Sequence, residues 1–274
     1  IVFGAWMHFF TTDKGELLKG KRVIQINNNV SDIGAFYQPD AVLIADAGKT
    51  AENILYWLDE AEVAPSGFTK ELPSHDISKY PKGDPKKSTP GYINFEYALD
   101  RLNETLPENR IMLTDGGRYI TEVWCRVNVP DPNSFHMSDN FAAIGQGMQQ
   151  AIGAAYGDPT RPVVLFTGDG GFMMGGLNEF NTAVRTNCNL IVIICNDAAY
   201  GAEHIQMLDR KMDPSLTEFN WPSFAEVAKS LGGEGVEVTS PEELELAIEA
   251  IHARKSPIIV ELKLDSNNVP RMRM

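Results

Sequence analysis

Two apolar runs, residues 163–166 and 190–195, each break off into small and polar residues. Thr167-Gly-Asp-Gly-Gly follows the first and Asn196-Asp-Ala-Ala-Tyr-Gly the second. Short aliphatic runs without alternation read as strands covered on both faces, which is the habit of parallel sheets. Between them Leu177, Phe180 and Val184 fall on one face of a helix. The same alternation runs along the chain. Strands are expected at 23–26 and 41–45, with an amphipathic helix at 49–61. After a break come a helix at 94–105, a strand at 111–113 and a long irregular stretch through Trp124 and Phe135. A small-residue helix at 142–156 follows, and then a helix at 224–231 stopped by Gly232-Gly233. Ser240 as N-cap, Pro241 and Glu243 open a further helix through a capping box, and residues 258–262 form the last strand. Alternating strands and helices define an α/β protein with a parallel sheet. No internal repeat interrupts this pattern.

Periodicity is lost from Glu62 to Pro90, where Pro65, Pro73, Pro81, Pro85 and Pro90 stand among several lysines. That composition reads as an interdomain linker. The expected organisation is a partial domain at 1–62, a linker at 63–90 and a second domain at 91–274. Ile1-Val-Phe-Gly-Ala reads as the end of a strand entering a turn, so the numbering is expected to begin partway through a longer protein.

A net charge of −13 disfavours a nucleic-acid surface. The longest strongly apolar run, 190–195, is far short of the ~20 residues that span a bilayer, and no segment has the order of a signal peptide. Cys125, Cys188 and Cys195 show neither disulfide nor zinc spacing, which fits a reducing cytoplasm.

The two post-strand segments carry the chemistry. Open parallel sheets build ligand sites at the C-terminal ends of their strands. Gly168 and Gly170 flank Asp169, so the backbone can turn sharply and approach a ligand closely. Asp169 and Asn196 lie 27 residues apart, an interval filled by one helix and one strand, so both return to one sheet edge. A hard cation such as Mg²⁺ takes oxygen ligands together with ligand phosphates. Asp169 offers a carboxylate, Asn196 an amide oxygen and Ala198 a main-chain carbonyl. A diphosphate would meet the cation beside the amides of Gly170 and Gly171. A lone Gly-Asp-Gly is usually only a turn, and Asn-Asp often opens one; the pair at this spacing is more specific.

These motifs resemble thiamine diphosphate (ThDP)-dependent enzymes of the acetolactate synthase, pyruvate decarboxylase and benzaldehyde lyase type, whose signature is Gly-Asp-Gly, a helix and strand, then Asn. Ala143-Ile-Gly-Gln-Gly-Met-Gln-Gln-Ala-Ile-Gly-Ala-Ala resembles that family's small-residue helix. The resemblance implies that Ile144 props the cofactor into a bent shape and that the Ala142 carbonyl accepts from its aminopyrimidine. Thr114-Asp-Gly-Gly resembles the first diphosphate loop, implicating Gly116 and Gly117. Tyr200 and Gly201 follow the metal segment as cofactor-binding residues. Val23-Ile-Gln-Ile-Asn, Ile33-Gly, Asp40 and Asp46-Ala resemble the closing portion of the central domain. The implied fold is a doubly wound parallel sheet, the ThDP-binding fold, preceded by a partial Rossmann-like central domain.

Departures from the pattern are Asn196-Asp197 in place of an Asn pair and Gly171 in place of Ser. The family's cofactor-activating glutamate belongs to a pyrimidine domain absent from these residues. The resemblance therefore implies that a missing N-terminal region or a partner subunit supplies it, in a homodimer or homotetramer. Its expected activity is ThDP- and Mg²⁺-dependent carbon–carbon bond formation or cleavage on 2-keto acids, with acetolactate synthase-like carboligation first. Simple 2-keto-acid decarboxylation and a carbon–carbon hydrolase or lyase reaction are the alternatives. A non-catalytic nucleotide-binding α/β module is a distant one.

Glu203 and His204 would lie on the next helix, either shuttling protons at the reacting carbon or forming a solvated face. Arg118 reads as a clamp for a substrate carboxylate or as a surface ion pair. His8, His75, His136 and His252 read as incidental, and Trp124, Met173 and Met174 as packing residues.

Overall fold

The structure, a computed structural model, describes residues 1–9, 11–67, 81–138 and 143–269. Those up to 67 and those from 81 onward form two compact units. Among the described residues no helix is long and apolar enough to cross a membrane.

The first unit holds a three-stranded parallel sheet in the order β1 (Val2–Phe3), β2 (Ile24–Asn27), β3 (Ala41–Ile44). Helix α1 (Ala47–Glu60) follows, with Asp46 capping the Lys49 amide. Two sequence expectations need correction here. β3 was expected to be buried, yet Val42, Leu43 and Ile44 are each 45% or more exposed. It is an edge strand, and α1 packs chiefly on β1 and β2. In α1 only Thr50 is buried, while Leu55, Tyr56 and Trp57 are exposed. The apolar stripe read from the sequence thus has no partner within this unit.

The second unit is a six-stranded, wholly parallel sheet in the order β5-β4-β6-β7-β9-β8. Its strands are β4 (Ile111–Thr114), β5 (Phe135–Met137), β6 (Val163–Gly168), β7 (Leu190–Asn196), β8 (Glu234–Val238) and β9 (Ile258–Lys263). From β4 the chain moves outward to β5, then returns to β6 on the other side. The doubly wound sheet therefore has its switch point between β4 and β6, where such folds open a crevice.

Both faces are covered. Helices α2 (Phe95–Thr105), α3 (Ile120–Arg126) and α9 (Pro241–Ala253) pack with Phe166, Ile191 and Ile193. Helices α4 (Gly147–Gly157), α6 (Leu177–Arg185) and α8 (Phe224–Ser230) pack with Leu165, Val192 and Ile194. Alternate residues of β6 and β7 thus enter opposite cores, which explains their unbroken apolar runs.

Two elements begin differently from the sequence expectation. The helix read from 142 starts at Gly147, because Gly145 takes a left-handed φ of +89° that a helix cannot absorb. At α9, Ser240 caps the Glu243 amide, but the Glu243 carboxylate reaches back to Thr239 rather than to Ser240. Residues 81–90, read as linker, pack into the second unit: the Pro81 carbonyl accepts from Arg126, and the Gly83 amide donates to Asp100 at 2.7 Å. The expected linker residues 68–80, with His75, lie outside the described residues.

Candidate active site

Register assembles the site. Gly168 pairs with Cys195 across β6 and β7, so the next residues, Asp169 and Asn196, leave the sheet side by side. Asp169 opens α5 (Asp169–Gly171), which continues through a π-helical turn at Phe172–Gly176 into α6. Irregular turns of this kind often accompany functional sites. The first amides of that helix face the strand ends, where they favour an anion.

A cleft of about 290 Å³ opens here. It gathers Gly116, Gly117, Ile144, Tyr200, Gly201 and Glu203, together with the stretch Gly168 to Gly171. Asn196 is buried and Ala198 exposed, and neither lies on the cleft wall. His204 is also off the wall: it is 4% exposed, with Nδ1 3.1 Å from the Thr217 hydroxyl. Ala142 lies outside the described residues.

The main chain approaches closely because glycine leaves room. A Cβ on Gly170 would stand 2.5 Å from the Tyr200 ring, which packs edge-on against Phe219. Gly170→Ala is therefore expected to lower folding stability by roughly 1–3 kcal/mol, measured by urea denaturation. No loss would show that the ring yields freely.

Asp115, which the sequence reading did not single out, organises the opposite wall. Its Oδ1 accepts from the Gly116 amide (2.8 Å) and the Ser138 hydroxyl (3.0 Å), and its Oδ2 from the Gly145 amide (2.8 Å). These bonds fasten the Ile144–Gly145 turn to the end of β4. Ile144 is 43% exposed. Its side chain lies 3.2 Å from where a Cβ would stand on either Gly116 or Gly171, so it is set between the two glycine loops.

The electrostatics call for a cation. Asp169 is 2% exposed and takes one hydrogen bond, 2.7 Å, from the Trp221 indole to Oδ2. Burial, and then the neighbouring Asp197, push its carboxyl up to about 7. Burial raises Asp197 to about 6, against the opposing pull of Arg118. Arg118 is neither exposed nor in a surface pair. It is 6% exposed, lies 3.7 Å from Asp197, and donates to the carbonyls of Ser266 and Val269. That corrects both sequence readings of it: burial rules out the surface pair, and its donors hold the 266–269 segment against the cleft.

Asn196 Oδ1 accepts from the Ala198 amide at 3.0 Å, while its Nδ2 donates to Glu261 at 2.7 Å. Ala198 holds a left-handed φ of +55°, uncommon for a residue with a Cβ, and its carbonyl accepts from Phe219. Among the described residues no three His, Cys, Asp or Glu side chains converge as a metal site. A mixed set of one carboxylate, one amide and one carbonyl, completed by phosphate oxygens, is the kind a hard cation accepts.

A glycine-floored crevice at a switch point, with a buried uncompensated acid beside an amide, marks a protein that holds a phosphorylated cofactor through a divalent cation. Comparison with known proteins gives the family. Residues 115–262, more than half of the chain, match the thiamine pyrophosphate enzyme, C-terminal TPP binding domain. The chain belongs to this family, and that stretch is its TPP (ThDP)-binding domain.

The chain is 24% identical over 253 residues to acetolactate synthase of Bacillus subtilis (strain 168), covering 91% of this chain and 44% of that protein. It is 25% identical over 234 residues to 2-hydroxyacyl-CoA lyase 2 of Mus musculus, covering 83% and 37%. The fold matches the Rhodococcus jostii RHA1 thiamine diphosphate-dependent 4-hydroxybenzoylformate decarboxylase with a TM-score of 0.71 at 20% identity, over 90% of this chain and 44% of that one. The chain therefore spans less than half the length of these proteins.

Proposed function

We propose that the protein acts in ThDP- and Mg²⁺-dependent formation or cleavage of a carbon–carbon bond next to a carbonyl, on 2-keto acids, by acetolactate synthase-like carboligation. The observation that carries this reading is the convergence of Asp169, Asn196 and the Gly168–Gly171 main chain at one sheet edge, facing Ile144 across the cleft. Bound ThDP would supply the electron sink that stabilises a carbanion beside the carbonyl.

In this reading Asp169, Asn196 and the Ala198 carbonyl hold Mg²⁺ against the diphosphate. Amides of Gly116, Gly117, Gly170 and Gly171 surround the phosphates, and Tyr200 and Gly201 close the floor. Ile144 sets the cofactor's bend. Proton transfer falls to Glu203, which reaches the cleft, and not to His204, which is buried against Thr217. Activation of the aminopyrimidine falls to a glutamate on a pyrimidine domain, on the same polypeptide or on a partner subunit of a homodimer or homotetramer.

Calorimetric titration with ThDP tests the reading. Saturable binding that requires Mg²⁺ is expected, and no binding in either condition would return the chain to a nucleotide-binding module. A turnover screen of the intact protein against 2-keto acids, with and without an acceptor carbonyl, then separates carboligation from decarboxylation and lyase chemistry.

A further inference from the structure

Glu261 is a carboxylate inside the sheet. It sits on β9, between β7 and β8, and is 0% exposed. A buried acid in such a place must have its lone pairs met by donors, and here it has four. Oε1 accepts from Asn196 Nδ2 at 2.7 Å and from the Lys263 ammonium at 3.2 Å. Oε2 accepts from the Ala225 amide at 3.1 Å and the Ser223 hydroxyl at 3.3 Å. Register explains the first of these: Glu261 pairs with Ile194, so Asn196, two residues on, projects from the same face.

A carboxylate with four donors around it accepts and does not donate. Asn196 must therefore turn its NH₂ toward Glu261, which leaves Oδ1 on the opposite side of the amide. The reverse rotamer would set oxygen against oxygen where no water reaches. From this geometry we infer that Glu261 is a positioning residue that selects the amide orientation of Asn196 and so presents Oδ1, rather than NH₂, to the cation. The inference rests on the reading of Asn196 as a cation ligand.

Glu261→Gln tests it, because glutamine brings one oxygen and one NH₂ to a place built for two acceptors. With its oxygen kept by Ala225 and Ser223, its NH₂ faces Asn196 and draws Oδ1 away from the cation. Mn²⁺ uptake by the intact protein with saturating ThDP, followed by the EPR signal of free Mn²⁺, is expected to weaken about 10–100-fold. The double variant Asn196→Asp with Glu261→Gln exchanges amide and carboxylate. A carboxylate cannot be misoriented, so this variant should recover most of the lost affinity. Ser223→Ala removes a donor at the far oxygen and the cap of α8. It should lower the melting temperature and leave Mn²⁺ affinity within about threefold.

Mn²⁺ affinity unchanged in Glu261→Gln, or no recovery in the double variant, overturns the positioning role while the cofactor reading stands. If Glu261→Gln does not fold, the double variant decides: recovered folding with Mn²⁺ uptake supports the role, and folding without uptake overturns it. Absence of ThDP-dependent Mn²⁺ uptake in the unmutated protein overturns the ligand reading, and this inference with it.

Discussion

Asp169→Asn should abolish Mg²⁺-dependent ThDP binding and, in the metal-free protein at pH 8, make the fold more stable. The two effects share one cause. Asp169 is a buried acid next to a second buried acid, and its carboxyl is pushed up to about 7 from an ordinary 3.8. A folded state that binds a proton more tightly than the unfolded chain is most stable below the unfolded pKa. It loses that stability as pH rises from about 4 to about 7, and above 7 the full penalty of an uncompensated buried charge remains. At 1.36 kcal/mol per unit, the penalty is on the order of 2–4 kcal/mol. Asparagine is isosteric, can still accept from Trp221, and carries no charge to desolvate. Urea unfolding without metal should therefore show the variant ahead by that amount at pH 8, with the difference shrinking toward pH 4. With Mg²⁺ and ThDP present the order should reverse, because only the unmutated protein gains binding free energy. A less stable variant at pH 8, or retained Mg²⁺-dependent ThDP affinity, would refute the account. Removal of a functional charge commonly stabilises a fold in this way.

How far the sequence foretold this structure depended on burial. β6 and β7 were legible because both faces of each strand enter a core, leaving unbroken apolar runs. The Asp169–Asn196 spacing was legible because one helix and one strand fill the interval. β5 and β8 were not, since edge strands need only part of their side chains apolar: Phe135-His-Met and Glu234-Gly-Val-Glu-Val carry polar residues where an inner strand cannot. α3, at seven residues, is too short to show a period. β3 and α1 failed in the opposite sense, since their sequences are apolar while their surfaces are exposed. The site's supporting residues were the least visible. Asp115, Trp221 and Glu261 reach their partners across 30, 52 and 65 residues, respectively, and no local pattern encodes such contacts. Glu261 did leave one signal, a charge inside the apolar run at 258–262. A charge in an inner strand implies a partner held at depth.

Ile144→Ala should reduce turnover of the complete enzyme about 100-fold while weakening ThDP binding far less. Ile144 stands on a turn fixed from below by the Asp115–Gly145 hydrogen bond and by the left-handed φ of Gly145. Its side chain projects between the Gly116 and Gly171 loops into the cleft. Truncation removes three carbons from a residue that is 43% exposed, so little core is lost and the fold should keep most of its stability. At ~0.8 kcal/mol per fully buried methylene, and only partial burial, the lost contact with a bound ligand is worth about 1 kcal/mol, or several-fold in affinity. The diphosphate end, held by the metal and glycine amides, is untouched. A reacting centre allowed to drift by ~1 Å can lose about two orders of magnitude in rate. The effect should therefore divide unevenly, with kcat falling much further than ThDP affinity. Ile144→Leu, which keeps the volume but shifts the branch point, should fall between. Equal losses in rate and affinity, or no loss in either, would show that the turn supports the fold and not the cofactor.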